Sequence, residues 1–247
     1  MTVNVVVDES LPMGSKQLTL GVKLDAEQKL ENFSFEGAPA LNSSISHLLN
    51  NDNAESLYVF GGAGVGKSHV LQACVLRAHE MGQEAIFLSC DELLQVPFEN
   101  ASECLVGLSH FQLLCVDDID LLINNASWAQ AWFHLYNELT ETGHRVVFSA
   151  SSNPRGIDCA LEDLRSRLQL ANVFQLNELD ESASGALLQI KAQQRGLQLT
   201  DEHLSYILSR SPRGFKHLLH ILDLLDSASW HEKRRITIPF IKQVLQW

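Results

Sequence analysis

Residues 61–68 read GGAGVGKS, a stretch in which residue type and spacing together specify a chemistry. Gly61, Gly66, Lys67 and Ser68 satisfy G-x-x-x-x-G-K-[ST], with Gly62, Ala63, Gly64 and Val65 inside the loop and His69 directly after it. Glycines allow the backbone to curl until its N–H groups converge on a phosphate at the positive end of a helix. Lys67 then reaches the β and γ phosphates, and Ser68 ligates Mg²⁺. The bland alternative is a Gly-rich turn with a solvated lysine. The position of the loop, after the apolar LYVF (57–60) and before a helical pattern, favours phosphate binding.

A second motif is LLCVDDID (113–120), four apolar residues followed by acids. Ligands of parallel sheets bind beyond the carboxyl ends of the strands, so Asp117 and Asp118 are expected to face the phosphates. Asp117 would hold Mg²⁺ through water, and Asp118 would stand where a base polarises an attacking water. In FSASSNP (148–154), Ser151, Ser152 and Asn153 either touch the γ-phosphate or are turn residues before Pro154. EDLRSRL (162–168) carries Arg165 and Arg167, with Asp163 four residues before Arg167 in the favoured order for a helix-surface pair. In SPRGFKHLL (211–219), Arg213 opens a helix. His217 and His220 share a face but have no acidic or cysteine partner nearby, which reads as packing, not metal binding.

The elements that position these residues follow from periodicity. LYVF, AIFLS (85–89), QLLCV (112–116), RVVFS (145–149) and VFQL (173–176) are aliphatic or aromatic runs too short for helices. Between them, 67–82 and 127–143 are helical in period and end in Gly. Strand and helix in alternation predict a parallel sheet covered on both faces. After about residue 178 the pattern is helical throughout: 180–195, 201–210, 213–230 and a last helix opened by Thr237 and Pro239. The expected organisation is a tail over 1–30, an α/β nucleotide-binding domain over 31–177 and a small all-helical lid over 178–247.

Composition narrows the partners. The 247 residues carry a net charge of −12, which opposes retention on nucleic acid by phosphate neutralisation and predicts no direct sequence-specific DNA binding. Five cysteines, an odd number without a C-x-x-C pair, read as reduced core residues in a reducing compartment. No apolar run reaches the ~18 residues of a membrane span, and no signal peptide is recognisable, so a cytoplasmic protein is expected.

Taken together, LENFSFEGAPALNSSISHLL, LYVFGGAGVGKSHVLQA, LLCVDDID, FHLYNEL, LRSRL and PRGFKHLLHILDLLD resemble the DnaA family of AAA+ proteins over residues 30–247. The resemblance implies an AAA+ P-loop NTPase domain, bound ADP or ATP (or another nucleoside diphosphate) and Mg²⁺. It implies that Phe33 flanks the base and that Ser151 stands at the sensor position, where DnaA has an acidic residue. Arg213 would be the lid arginine on the nucleotide, and Arg167 the finger that reaches into a neighbouring subunit. DnaA continues into a DNA reader, whereas this sequence stops at Trp247. That matches the DnaA-related regulators that inactivate DnaA.

Such a regulator also accounts for KQLTLGVKL (16–24), where Leu18, Leu20 and Val22 alternate with Thr19 and Gly21 beside Gln17. These residues resemble the peptides that dock on the DNA polymerase sliding clamp. The expected function is negative regulation of replication initiation, with weak or no ATPase activity of the chain's own. A finger arginine also implies head-to-tail contacts, which a homo-oligomer would make without the sequence fixing the oligomeric state. The alternative is an autonomous AAA+ ATPase or helicase loader, which gives the tail no purpose.

Overall fold

The computed structural model describes residues 24, 28–35, 37–51, 55–212 and 215–247. Gln17, Leu18, Leu20, Val22 and Arg213 lie outside the described residues. The chain divides between Leu176 and Asn177 into two compact units.

The first unit contains α1 (Pro39–Asn50), β1 (Ser56–Phe60), α2 (Lys67–Glu80), β2 (Ala85–Ser89) and the single turns α3 (Cys90–Leu93) and α4 (Ala101–Cys104). It continues with β3 (Leu113–Asp117), α5 (Ala126–Glu141), β4 (Arg145–Ala150), α6 (Glu162–Leu170) and β5 (Asn172–Gln175). All strand pairings are parallel, in the order β2-β3-β4-β1-β5. Every residue of β3 and β4 is buried, as expected of strands covered on both faces. The core joins Tyr58, Leu114, Val116 and Phe148 of the sheet to Trp128, Trp132 and Leu135 of α5. Asn125 starts α5 by accepting from Ser127 N at 2.9 Å and Trp128 N at 3.3 Å.

The helix α1 is absent from the elements expected above. Its sequence contains Asn42, Ser43, Ser44 and Ser46, weak helix formers. Burial decides instead, because Leu41, Ile45, Leu48 and Leu49 form one apolar stripe. The end of α1 is held from β4: the buried Arg145 donates through Nη1 to Leu48 O at 2.9 Å, Leu49 O at 3.4 Å and Asn51 O at 3.2 Å. Ahead of α1, Leu24 is buried and Leu30–Asn32 forms a 3-10 turn.

The second unit is helical: α7 (Glu181–Gln194), α8 (Asp201–Arg210), α9 (Phe215–Glu232) and α10 (Ile238–Leu245). Its core is built from Leu188, Leu204, Ile207, Leu222, Leu225, Phe240 and Ile241. Asp180, Thr200 and Thr237 cap α7, α8 and α10 through their side chains. His217 and His220 are solvent-exposed. Packing is therefore not their role, because α9 turns Leu218, Ile221, Leu222 and Leu225 inward in their place. Among the described residues no helix is long and apolar enough to cross a membrane.

Candidate nucleotide site

The strand order places β4 between β1 and β3, with Phe60 paired to Ala150 and Val116 to Phe148. The loops that follow β1, β3 and β4 therefore leave the sheet at one edge. GGAGVGKS, the two aspartates and FSASSNP, far apart in sequence, meet there.

Gly61 N donates to Ala150 O at 3.2 Å, which ties the start of the phosphate loop to β4. Gly66 closes the loop with φ 102°, a left-handed conformation that costs glycine little. It also has no room for a side chain, since a Cβ there would lie 2.7 Å from Phe33 Cε2. The Phe33 ring packs edge-on against Phe35 and His69, with centroids 4.7 Å and 5.5 Å away. His69 Nε2 lies 3.1 Å from Lys29 O, which fastens this aromatic group to the segment ahead of α1.

Lys67 is buried and donates to Gly61 O at 3.0 Å and Gly62 O at 3.2 Å, with Asp118 Oδ1 at 3.7 Å. Asp117 ends β3, and its Oδ1 accepts from Ser149 Oγ at 2.5 Å. The same Ser149 oxygen accepts from Asp118 N at 2.8 Å. Ser149 is thus the residue that orients both aspartates, and the sequence reading passed over it. The available signal was a lone serine inside the buried apolar run of β4. Ser68 Oγ and Asp117 Oδ2 make no hydrogen bond among the described residues, leaving hard oxygen donors of the kind Mg²⁺ takes.

Asp118 adopts φ 52°, a left-handed conformation that Asp and Asn tolerate better than most side chains. Burial pushes its carboxyl pKa up, and Asp117 adds to this, while Lys67 opposes it. A raised folded-state pKa means that folding disfavours the charged form. Stability is then highest at low pH, where the group is protonated in both states, and falls as pH rises from the unfolded-state pKa through the folded-state one. Asp118→Asn is expected to raise the melting temperature at pH 7, with the gain vanishing below about pH 4. A lower melting temperature at pH 7 would show that the attraction to Lys67 outweighs desolvation.

In the loop after β4 the polar residues of FSASSNP make contacts within the protein. Ser151 donates to Asp120 Oδ2 through its N–H at 3.0 Å and also through its hydroxyl. Tyr58 OH donates to Ser152 O at 2.9 Å, and Asn153 Oδ1 accepts from Arg155 N at 3.0 Å. Ser151 and Asn153 use side-chain atoms in building the loop, Ser152 its backbone carbonyl, and the Ser151 hydroxyl points to Asp120. Burial, with Asp120 and Cys159 nearby, raises the Tyr58 pKa and keeps its phenol a neutral donor.

On α6 the Asp163–Arg167 pair that the spacing allows, the bland alternative for this stretch, does not form. Arg165 pairs with Glu162 instead, one turn earlier. Arg167 is exposed and has no partner among the described residues. All five cysteines are free thiols, and burial pushes Cys74 up to about 12. Among the described residues no group of three or more His, Cys, Asp and Glu is placed to hold a metal by itself.

Comparison with known proteins follows this architecture. A family model for the bacterial DnaA ATPase domain matches residues 27–175, and one for the Hda lid domain matches 176–245. An uncharacterized protein of Haemophilus influenzae is 32% identical over 232 residues, spanning 94% of this chain and 99% of the relative. Among solved structures, domain III of the Thermotoga maritima replication initiation protein DnaA superposes with a TM-score of 0.78 at 19% identity, covering 90% of this chain and 97% of that one. AMPPCP-bound DnaA from Aquifex aeolicus gives 0.72 at 22% identity, covering 84% and 68%.

Proposed function

This chain belongs to the bacterial DnaA ATPase family and carries an Hda-type lid, and from that premise we propose that it restrains the initiation of chromosome replication. Holding a nucleotide of its own, it docks on the sliding clamp loaded on DNA and drives hydrolysis of the ATP carried by DnaA. The observation that carries this reading is Arg167, an exposed guanidinium left without a partner on a helix whose other arginine is paired. A permanently charged planar group of this kind suits the phosphoryl oxygens of a nucleotide held by another protein.

In this reading the chain's own nucleotide, ADP or ATP, lies on Gly61–Ser68. Lys67, now bonded to Gly61 O and Gly62 O, would hold phosphate oxygens. Ser68 and Asp117 would hold Mg²⁺, which would neutralise phosphate charge. Phe33, against Gly66, flanks the nucleotide, and Arg213 of the lid (178–247), which follows the nucleotide-binding domain (31–177), is assigned to the nucleotide by resemblance to the family. Ser151 is a weak candidate for triphosphate sensing because Asp120 takes its hydroxyl. That supports a regulatory ligand and little turnover by the chain itself. Subunits associate head to tail, and the protein works in the cytoplasm.

Clamp docking is assigned to Gln17, Leu18, Leu20 and Val22 in the tail (1–30). The test is phosphate release from ATP-loaded DnaA with clamp on DNA, comparing the wild-type chain with Leu18→Ala/Leu20→Ala. Two buried anchors are worth about 1–3 kcal/mol each. The double variant is expected to lose clamp binding and clamp-dependent stimulation while melting as the wild type does. Equal co-elution with clamp would refute the docking assignment. Rapid hydrolysis by the chain alone, unaffected by DnaA, would favour the autonomous ATPase.

A further inference from the structure

An open cavity of about 410 Å³ lies in the first unit, between the segment that follows α3 and the one that leads into α5. Leu94, Val96, Pro97, Phe98, Leu121 and Trp128 line it, and Leu94, Phe98 and Leu121 are 48%, 51% and 40% exposed. A solitary exposed leucine is ordinary, but three large apolar side chains exposed around one cavity make a groove. The charge near it has one sign. Residues 78–144 contain eleven Asp or Glu and no Lys or Arg. Glu99 follows Phe98 in one 3-10 turn (Phe98–Asn100), and Asp91 and Glu92 stand in the turn of α3 that runs into Leu94. All three acids are exposed and make no ion pair among the described residues.

The second unit carries the opposite feature. Trp230, in the last turn of α9, is 82% exposed, and Lys233, Arg234 and Arg235 follow it. Arg234 N donates to Ser229 O at 3.3 Å and Ser229 Oγ to Arg234 O at 2.8 Å, which folds residues 229–234 into one closed turn. Lys233 sits in that turn with φ 52°, the left-handed conformation that glycine ordinarily supplies at a helix end. The indole and the cations are thereby held on one exposed turn. Arg234 is engaged with Glu232 and Gln243, whereas Lys233 and Arg235 have no partner among the described residues.

We propose that the Trp230 turn of one copy seats in the groove lined by Leu94 and Phe98 of a second copy, with Lys233 and Arg235 facing the acids beside it. Two complementarities select this occupant. The groove is apolar within and acidic around, so it suits a large apolar side chain flanked by cations. Residues 230–235 of the same sequence are such a segment. The cavity also lies in the size range of sites that bury a ligand of this kind. A single-stranded nucleic acid would stack on an exposed indole beside cations, but it would leave the acidic groove uncovered. A second copy accounts for both features at once. Turn and groove are different surfaces, so the contact is heterologous and propagates head to tail. A single turn in one groove buries less than the roughly 1,200 Å² at the low end of stable interfaces. Association is therefore weak, needs high protein concentration and weakens further as salt screens the charges. The proposal names surfaces for the head-to-tail association argued above. It uses neither Arg167 nor the nucleotide, so its failure leaves the regulation of DnaA untouched.

The test is sedimentation of the full chain over a wide concentration range, at low and at high salt. At low salt the wild-type chain is expected to shift from monomer to a series of larger species as concentration rises. Trp230→Ser removes the apolar anchor and Phe98→Ser one wall of the groove. Each is expected to weaken association about tenfold or more, with melting at the wild-type value because both side chains are largely solvent-facing. Leu94→Ser is the second groove variant if Phe98→Ser melts lower. An equimolar mixture of Trp230→Ser and Phe98→Ser chains has one intact turn and one intact groove between each pair, so it should form a dimer and nothing larger. A wild-type chain that stays monomeric overturns the proposal. Association that survives Trp230→Ser, or survives both groove variants, overturns it as well, and so does a mixture that stays monomeric. Binding of an oligothymidylate by the wild-type chain but not by Trp230→Ser, without self-association, assigns the turn to nucleic acid, again against the proposal.

Discussion

Arg167→Ala should fold, bind nucleotide and dock on clamp, yet fail to stimulate hydrolysis of DnaA-bound ATP. Finger arginines that meet charge developing on a transferring phosphoryl group contribute about 10³–10⁵ in rate, so loss of Arg167 should bring stimulation close to the basal level. The effect on the chain's own stability should be negligible. Arg167 is exposed and has no partner among the described residues, so truncation breaks no contact that folding uses. Arg167→Lys should fail as well, because an ammonium cannot reproduce the planar fork. Arg165→Ala is the matched control: it breaks the pair with Glu162, worth about 0.2–0.5 kcal/mol on a helix surface, and should leave stimulation intact. Stimulation that survives Arg167→Ala but not Arg165→Ala would mean that the wrong arginine had been assigned. Survival in both would end the finger mechanism.

Arg145→Met should destabilise the first unit more than any single surface change. The arginine lies 3% exposed at the start of β4 and bonds carbonyls at the end of α1, almost one hundred residues earlier. Those carbonyls belong to the last turn, which has no intrahelical donors left. Leu49 O would retain Gln83 Nε2 at 2.9 Å, whereas Leu48 O and Asn51 O would lose the donor supplied by Arg145. An orphaned buried acceptor costs about 1–3 kcal/mol, so a loss of about 2–4 kcal/mol is expected after methionine recovers the packing of the stem. That is a large share of a domain stability of about 5–15 kcal/mol. Chemical denaturation should show a lower midpoint at unchanged slope. Arg145→Lys should fall between the two, since one ammonium still donates to part of the turn. A loss below about 0.5 kcal/mol for the methionine variant, the range of ordinary surface changes, would mean that solvent replaces the guanidinium and that it does not hold α1 in place.

Local chemistry alone determined a good deal of this protein. The five strands, the helices α2 and α5 and the four lid helices were legible because each is announced within its own residues. The buried strands β3 and β4 read as unbroken apolar runs and the exposed edge strand β5 by its Val173-Phe174 pair, helices read by their period, and Gly82 and Gly143 end α2 and α5 in the left-handed conformation. The phosphate loop was legible for the same reason, since its glycines, lysine and serine are contiguous. What remained hidden depends on partners distant in sequence. The polar composition of α1 conceals a helix made stable by a buried stripe and by Arg145 from another strand. The pairing of Arg165 with Glu162, and not of Arg167 with Asp163, was not decided by spacing, since both pairs lie within one helix at separations that allow contact. Ser149 and Asp120 lie inside FSASSNP and LLCVDDID, but nothing in those motifs marks them out. They matter because β4 is inserted between β1 and β3, which brings a serine to two aspartates and an aspartate to the loop of Ser151. Strand order is set by how whole faces bury against one another, so only the tertiary structure decided which polar side chains would meet at the edge of the sheet.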